Sequence, residues 1–133
     1  MRKFAVLLAT LAAAALVVPS AFATTPTCIE GAAGVAPTAT LTFTAPTVNT
    51  DGTPVATPLT YELYEGSTSG AEALVASGLS SSPVTVSTGL KAGTTAYFYI
   101  RVVDAKGNVS APSNEVCKSF PASTPASVTI TIT

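Results

Sequence analysis

The feature that most constrains this chain is an alternation of polar and apolar residues with a period of two. It is clearest in residues 40–44 and 59–65. Successive side chains of a β-strand point to opposite faces, whereas an amphipathic helix repeats about every 3.6 residues. No segment beyond the apolar N-terminal run shows a convincing helical period. The sequence therefore predicts an all-β domain whose strands each bury one face.

Further strands are predicted between the Gly- and Pro-containing turns. Residues 96–103 form the longest and most aromatic segment and are expected to be the central strand. Residues 83–87 and 114–120 are expected to be shorter strands. Residues 71–76 are expected to be one helical turn or a short edge strand. Five or six short strands with no helix predict a β-sandwich.

Two turns are predicted from their chemistry. Residues 49–54, "NTDGTP", combine an Asp-Gly pair with proline, and turn formation explains them better than a calcium loop, which needs more oxygen ligands. Residues 104–108 are expected to reverse the central strand, with Gly107 or Asn108 in a left-handed conformation.

Residues 1–23 are predicted to be a secretory signal peptide. Arg2 and Lys3 precede an apolar run, and Ala21-Phe22-Ala23 supplies small residues at the cleavage site. The apolar run is shorter than the roughly 20 residues of a transmembrane helix, although an uncleaved anchor is the alternative. The mature chain is expected to be residues 24–133, exported to the periplasm or cell exterior, with no membrane span.

The charge balance argues against two kinds of partner. Removal of the signal peptide leaves four basic and seven acidic residues, a net charge of −3. Four scattered cations form no stripe that could follow a phosphate backbone, so nucleic acid is not expected as a partner. The same scarcity disfavours an anionic membrane surface.

The two cysteines, Cys28 and Cys117, are predicted to form a disulfide, as cysteines in exported chains commonly do. The bond would close a loop of nearly the whole mature domain, which stabilises by roughly 4–5 kcal/mol on the chain-entropy model. A zinc site is the alternative, but the chain has no histidine and too few soft ligands. No metal and no cofactor are predicted.

Three segments resemble the fibronectin type III domain, particularly its bacterial and phage copies. "TLTFTAPT" is similar to the family's B strand, with Phe43 where tryptophan usually stands, and "LTYELYEG" is similar to its C strand. "GLKAGTTAYFYIRVVDAKGNVSAPSNEV" resembles the E–F corner, the F strand, the F–G turn and the G strand. Two features depart from the family: Ala96 replaces the corner tyrosine, and the first strand has little signal.

The resemblance implies a single seven-stranded fibronectin type III or immunoglobulin-like sandwich within residues 24–120. It also implies an interaction scaffold without catalytic activity. The residues agree with this expectation, because a chain without histidine has no Ser-His-Asp or Cys-His arrangement. Glu62 and Glu65 are separated by an odd number of positions, so they are predicted to lie on opposite faces of a strand. No catalytic residue is predicted.

An aromatic face is the candidate binding site. In the family register Ala96, Phe98, Ile100 and Val102 face the core, while alternate residues face outward. The C strand adds Tyr64 to the same outward face, and the candidate binding residues are Tyr64, Tyr97, Tyr99 and Arg101. Exposed tyrosines can stack on sugars or anchor a protein. Cross-strand pairing that only stabilises the sheet is the alternative.

The C-terminal end carries a second candidate site. A Pro-containing linker, residues 121–126, precedes a predicted appended strand at residues 127–133. Val128, Ile130 and Ile132 alternate with threonines, a pattern typical of a half-buried strand. This strand is expected to add to its own domain or to a neighbour's open edge.

These observations lead to two hypotheses. The first is an exported, non-enzymatic interaction module that binds a protein or carbohydrate through the tyrosine face. The second is a structural subunit of a surface fibre or homo-oligomer that assembles through the C-terminal strand.

Overall fold

The computed structural model describes residues 26–123, Thr129 and Thr131, and these residues form a β-sandwich. One sheet has five strands in the order β1-β7-β6-β3-β4, and the other contains only β2 and β5. No helix in the described part of the chain is long and apolar enough to cross a membrane. The strands are β1 (Ile29–Glu30), β2 (Ala39–Leu41), β3 (Thr60–Gly66), β4 (Ala73–Leu79), β5 (Val84–Val86), β6 (Thr94–Val103) and β7 (Val116–Phe120). The predicted seven-stranded sandwich is confirmed.

β6 is the longest strand and the centre of the larger sheet, as its length and aromatic content predict. It pairs antiparallel with β3 on one side and with β7 on the other. Alternate residues in the middle of β6, Ala96, Phe98 and Ile100, face the small sheet and enter the core, and Phe98 is only 2% exposed. The core cluster comprises Ala39, Leu41, Tyr61, Leu63, Val86, Ala96, Phe98, Ile100 and Phe120.

The strand predicted at residues 40–44 is shorter than expected. β2 ends at Leu41, because the Phe43 N–H donates to the Ser82 hydroxyl at 2.9 Å and not to a strand carbonyl. The Phe43 ring still packs against the core, with its centroid 4.5 Å from that of Tyr61.

Residues 71–76, for which the sequence allows a helical turn or a short edge strand, contribute to the edge strand β4. This strand is longer than predicted, because it continues through Gly78 to Leu79. Gly78 has a φ of +69°, and an extra residue between the pairs Tyr61–Leu79 and Leu63–Ala76 forms a bulge there. The glycine is therefore part of the strand and does not end it.

The first strand, for which the sequence carries little signal, is only two residues long. β1 pairs parallel with β7 at the edge of the larger sheet, and Gly31 N–H donates to the Ser119 carbonyl at 2.7 Å. The predicted disulfide between Cys28 and Cys117 is present immediately before β1. It links the N-terminal segment to the last strand.

The predicted turn after β6 is confirmed. The Asp104 carboxylate accepts hydrogen bonds from the Lys106 and Asn108 N–H groups, both at 2.8 Å. Gly107 has a φ of +86°, a left-handed conformation that glycine adopts without a steric penalty. The turn returns the chain along β6, where Val103 forms an isolated bridge with Val109.

Two regions with sequence predictions lie mainly outside the described residues. The signal peptide of residues 1–23 is one, and the C-terminal residues Val128, Ile130 and Ile132 are the other. Thr129 and Thr131 are described; both are exposed and belong to no strand. The appended strand at residues 127–133 stays a prediction.

We predict that the disulfide supplies a large part of the stability. Replacing Cys28 and Cys117 together by serine removes a crosslink across 89 residues, which should lower the free energy of unfolding by roughly 2–5 kcal/mol. Guanidinium denaturation measures this change, and the wild type under reducing conditions should match the variant. An unchanged unfolding midpoint would contradict the prediction.

Candidate binding face of the larger sheet

The outer face of the five-stranded sheet, which points away from β2 and β5, carries the predicted binding residues. Tyr64 of β3 lies opposite Tyr99 of β6, and Glu62 lies opposite Arg101. Paired residues of antiparallel strands project to the same side. The register therefore gathers two tyrosines, a carboxylate and a guanidinium on one patch, which we call the aromatic cluster (Glu62, Tyr64, Tyr99 and Arg101).

The aromatic cluster has a layered geometry. The Tyr64 and Tyr99 rings are stacked, with centroids 4.6 Å apart and an interplanar angle of 14°. The Arg101 guanidinium carbon lies 5.3 Å from the Tyr64 centroid and 5.8 Å from that of Tyr99. Both distances are within the range of cation–π attraction. The side chains hold one another in place on the sheet.

Glu62 and Tyr64 are joined at the edge of the cluster. The Tyr64 hydroxyl donates to Glu62 Oε2 at 2.9 Å, two positions away on the same face of β3. This hydrogen bond, more than any other influence, raises the pKa of the Tyr64 hydroxyl. Glu65 instead pairs with the core residue Phe98, so the two glutamates lie on opposite faces as predicted.

The expectation of four exposed residues is wrong for Tyr99, which is only 9% exposed. Strand alternation predicts the face to which a side chain points, but not whether neighbouring side chains bury it. The Tyr64 ring stacks directly on Tyr99 and buries it. Tyr64, Arg101 and Tyr97 are half-buried. Tyr97 lies on the same face but farther along β6, opposite Gly66 on one side and Cys117 on the other.

The loop between β3 and β4, residues 67–72, folds against this end of the outer face. A Cβ at Gly66 would lie 2.9 Å from both the Ala71 carbonyl oxygen and the Glu72 Cα, so only glycine permits this approach. The Gly70 N–H donates to Glu115 Oε2 at 3.1 Å and lies 3.3 Å from Glu72 Oε1. One N–H thus connects the loop to the residue just before β7.

Glu115 is unusually buried for a carboxylate. It is 6% exposed, and its Oε1 atom has no hydrogen-bond partner within the described residues. Partial burial raises the pKa of the Glu72 carboxyl, and the neighbouring Glu115 carboxylate raises it further. Ionising both carboxyl groups at once is unfavourable because the two negative charges repel each other. A proton on one of them removes this repulsion.

Sequence reasoning missed the participation of Glu62, Glu72 and Glu115. The spacing of Glu62, two residues before Tyr64, was a usable signal because residues two apart on a strand share a face. No local pattern connects Gly70 to Glu115, which are 45 positions apart. Their contact depends on how the loop crosses the sheet.

A solved structure with this fold is that of a Fn3-like protein from Clostridium thermocellum. The two chains are 24% identical, and the alignment covers 74% of this chain and 96% of the other, with a TM-score of 0.50. The match supports the fibronectin type III-like fold. No protein-family model matches the chain. No curated protein matches it either.

We predict that Glu72 makes the protein less stable as the pH rises. A carboxyl whose pKa is raised above its usual value near 4.5 favours folding below that value. Its contribution is lost as the pH rises through the raised pKa. Glu72→Gln should therefore be more stable than the wild type at pH 7, and the difference should disappear near pH 4.

Urea denaturation at a series of pH values measures this difference. Glu30→Gln, which neutralises an exposed glutamate in β1, is the matched control and should follow the wild type across the range. A Glu72→Gln variant that loses stability at pH 7 would show that the charge of Glu72 favours the folded state and would contradict the prediction.

Proposed function

We propose that this chain is a non-catalytic binding module whose partner docks on the outer face, at Tyr64, Tyr97 and Arg101, with the buried Tyr99 ring supporting Tyr64 from below. The observation that carries the proposal is the stacked pair of tyrosines with a guanidinium over both rings. The fibronectin type III-like fold agrees with such a role, although the fold itself does not specify a ligand.

The cluster has the chemistry of a preorganised recognition site. Aromatic and arginine side chains dominate binding energies at interfaces, because they bury large surfaces and lose little conformational freedom when already ordered. The stack and the Glu62 hydrogen bond restrict Tyr64 before any partner arrives. Arg101 Nε is buried and has no partner within the described residues. The guanidinium and the Glu62 carboxylate offer polar contacts beside an aromatic surface.

This chemistry suits a carbohydrate or a protein loop. A sugar ring stacks on the exposed parts of the tyrosines while its hydroxyls bond to Glu62 and Arg101. A protein partner would use the same rings as an anchor with a polar rim. A protein with this disulfide is expected in an oxidising compartment, where surface glycans and secreted proteins are available.

A second candidate function is that of a structural subunit that assembles through the C-terminal strand. Residues 127–133 have the alternation of a half-buried strand. Thr129 and Thr131 nevertheless lie in no strand of their own chain. The alternation favours this candidate, because a strand of that pattern added to another copy would bury its apolar side and expose its threonines.

We predict that truncating the tyrosine face weakens partner binding. A glycan array and a panel of secreted proteins identify the partner, and Tyr64→Ala and Tyr97→Ala should each weaken the measured affinity about tenfold or more, or roughly 1.4 kcal/mol. Loss of a cross-strand contact alone would change stability by only about 0.2–1 kcal/mol and leave affinity intact.

The matched control is Thr85→Ala, an exposed position on β5 of the opposite sheet. Its affinity should equal that of the wild type. If the alanine variants at Tyr64 and Tyr97 bind the identified partner as well as the control does, the outer face is not the binding site.

A further inference from the structure

In the small sheet, β2 has a partner strand on one side only. β2 pairs with β5, whereas β1 lies in the other sheet beside β7. Along an antiparallel pair, alternate residues direct their N–H and C=O groups away from the partner strand. No described strand receives these groups on the other side of β2. β2 therefore has a free edge.

The surface facing this free edge is apolar and uncovered. Val116 of β7 pairs with the core residue Phe98, so it points to the inside of the sandwich, yet it is 42% exposed. Ile29 pairs with Lys118, which lies opposite the core residue Ala96, and Ile29 is 70% exposed. Both side chains face the region that a third strand beside β2 would cover.

Lys118, which also lies on the inner face of β7, places its charge near the start of β2. Lys118 Nζ donates to the Thr38 carbonyl at 2.8 Å and lies 5.7 Å from the Phe120 centroid. The ammonium is thus bound to the backbone just before β2, and its methylene chain adds apolar surface. We call the space between the β2 edge, Ile29 and Val116 the open strand position.

The C-terminal segment has the pattern that this position requires. In β2, Ala39 and Leu41 are buried and Thr40 is exposed, with its hydroxyl 3.2 Å from that of Thr85. Residues 127–133 repeat this order, with Val or Ile at every second position and Thr between them. If residues 127–133 formed a strand beside β2, their apolar side chains would cover the inner face and their threonines would point outward.

From these observations we infer that residues 127–133 of one copy form the third strand of the small sheet of another copy, beside β2. This inference rests on the second candidate function and identifies its acceptor. The donor segment and the acceptor edge are different surfaces, so the contact is heterologous. Repeated contacts of this kind give an open chain of subunits, or a ring where the rotation between subunits closes.

The edge strand β4 of the larger sheet fits less well. Its register shifts twice against β3, and both Leu74 and Val75 are exposed. Bulges twist an edge strand and interrupt the row of groups that an added strand must meet. The residues of β2 pair with β5 without such a shift.

The test is the solution mass of oxidised chain 24–133, measured by light scattering across a range of concentrations. The wild type should form multimers whose size grows with concentration. Ile130→Asp in the donor and Val116→Glu in the acceptor should each give a monomer. Two matched controls place the same charges elsewhere and should leave the multimers intact: Thr131→Asp on the polar side of the donor, and Val75→Glu, 51% exposed, on β4.

A mixing experiment completes the test. The Ile130→Asp chain retains its acceptor and the Val116→Glu chain retains its donor, so an equimolar mixture should form heterodimers of one donor and one acceptor. If Val75→Glu dissociates the multimers and Val116→Glu does not, the chain assembles but β2 is not the acceptor strand. If the wild type is monomeric at every concentration, both the acceptor and the assembly function are wrong.

Discussion

The structure depends on the pairing register of β6 with β3. Phe98 and Ile100 enter the core because their partners are Glu65 and Leu63, while Tyr99 and Arg101 meet Tyr64 and Glu62 on the opposite face. A shift of one residue would move every β6 side chain to the other face. The hydrophobic core and the aromatic cluster are therefore two consequences of one register, and burial of Phe98 holds the cluster in place.

The disulfide has a second effect besides stabilisation. Because Cys28 is bonded to Cys117, the next two residues lie directly beside β7 and pair with it. The connection from Cys28 is too short for these two residues to reach the small sheet. β2 is left with β5 alone, and the inner face near Ile29 and Val116 stays uncovered. The covalent link that closes the domain thus leaves the position into which an added strand would fit.

Much of the fold was predictable because it follows from local alternation. Alternation and aromatic content identified β3 and β6 and the faces of their side chains, and a predicted signal peptide together with two cysteines indicated the disulfide. The placement of β1 was not predictable, since two residues carry no pattern and the disulfide position decides their partner. Burial of Tyr99 and the Gly70–Glu115 contact also escaped prediction. Both depend on packing between residues distant in sequence.

Solution NMR of the oxidised chain tests the β6 register most directly. Nuclear Overhauser contacts between the aromatic protons of Tyr64 and Tyr99 should be strong, because the rings are stacked with centroids 4.6 Å apart. The amide protons of β6 should also be among the slowest to exchange with solvent, since the strand bonds to β3 on one side and to β7 or residues 110–113 on the other. Contacts of the Tyr64 ring with Tyr97 in place of Tyr99 would indicate a register shifted by two residues and would contradict the pairing on which both the core and the cluster depend.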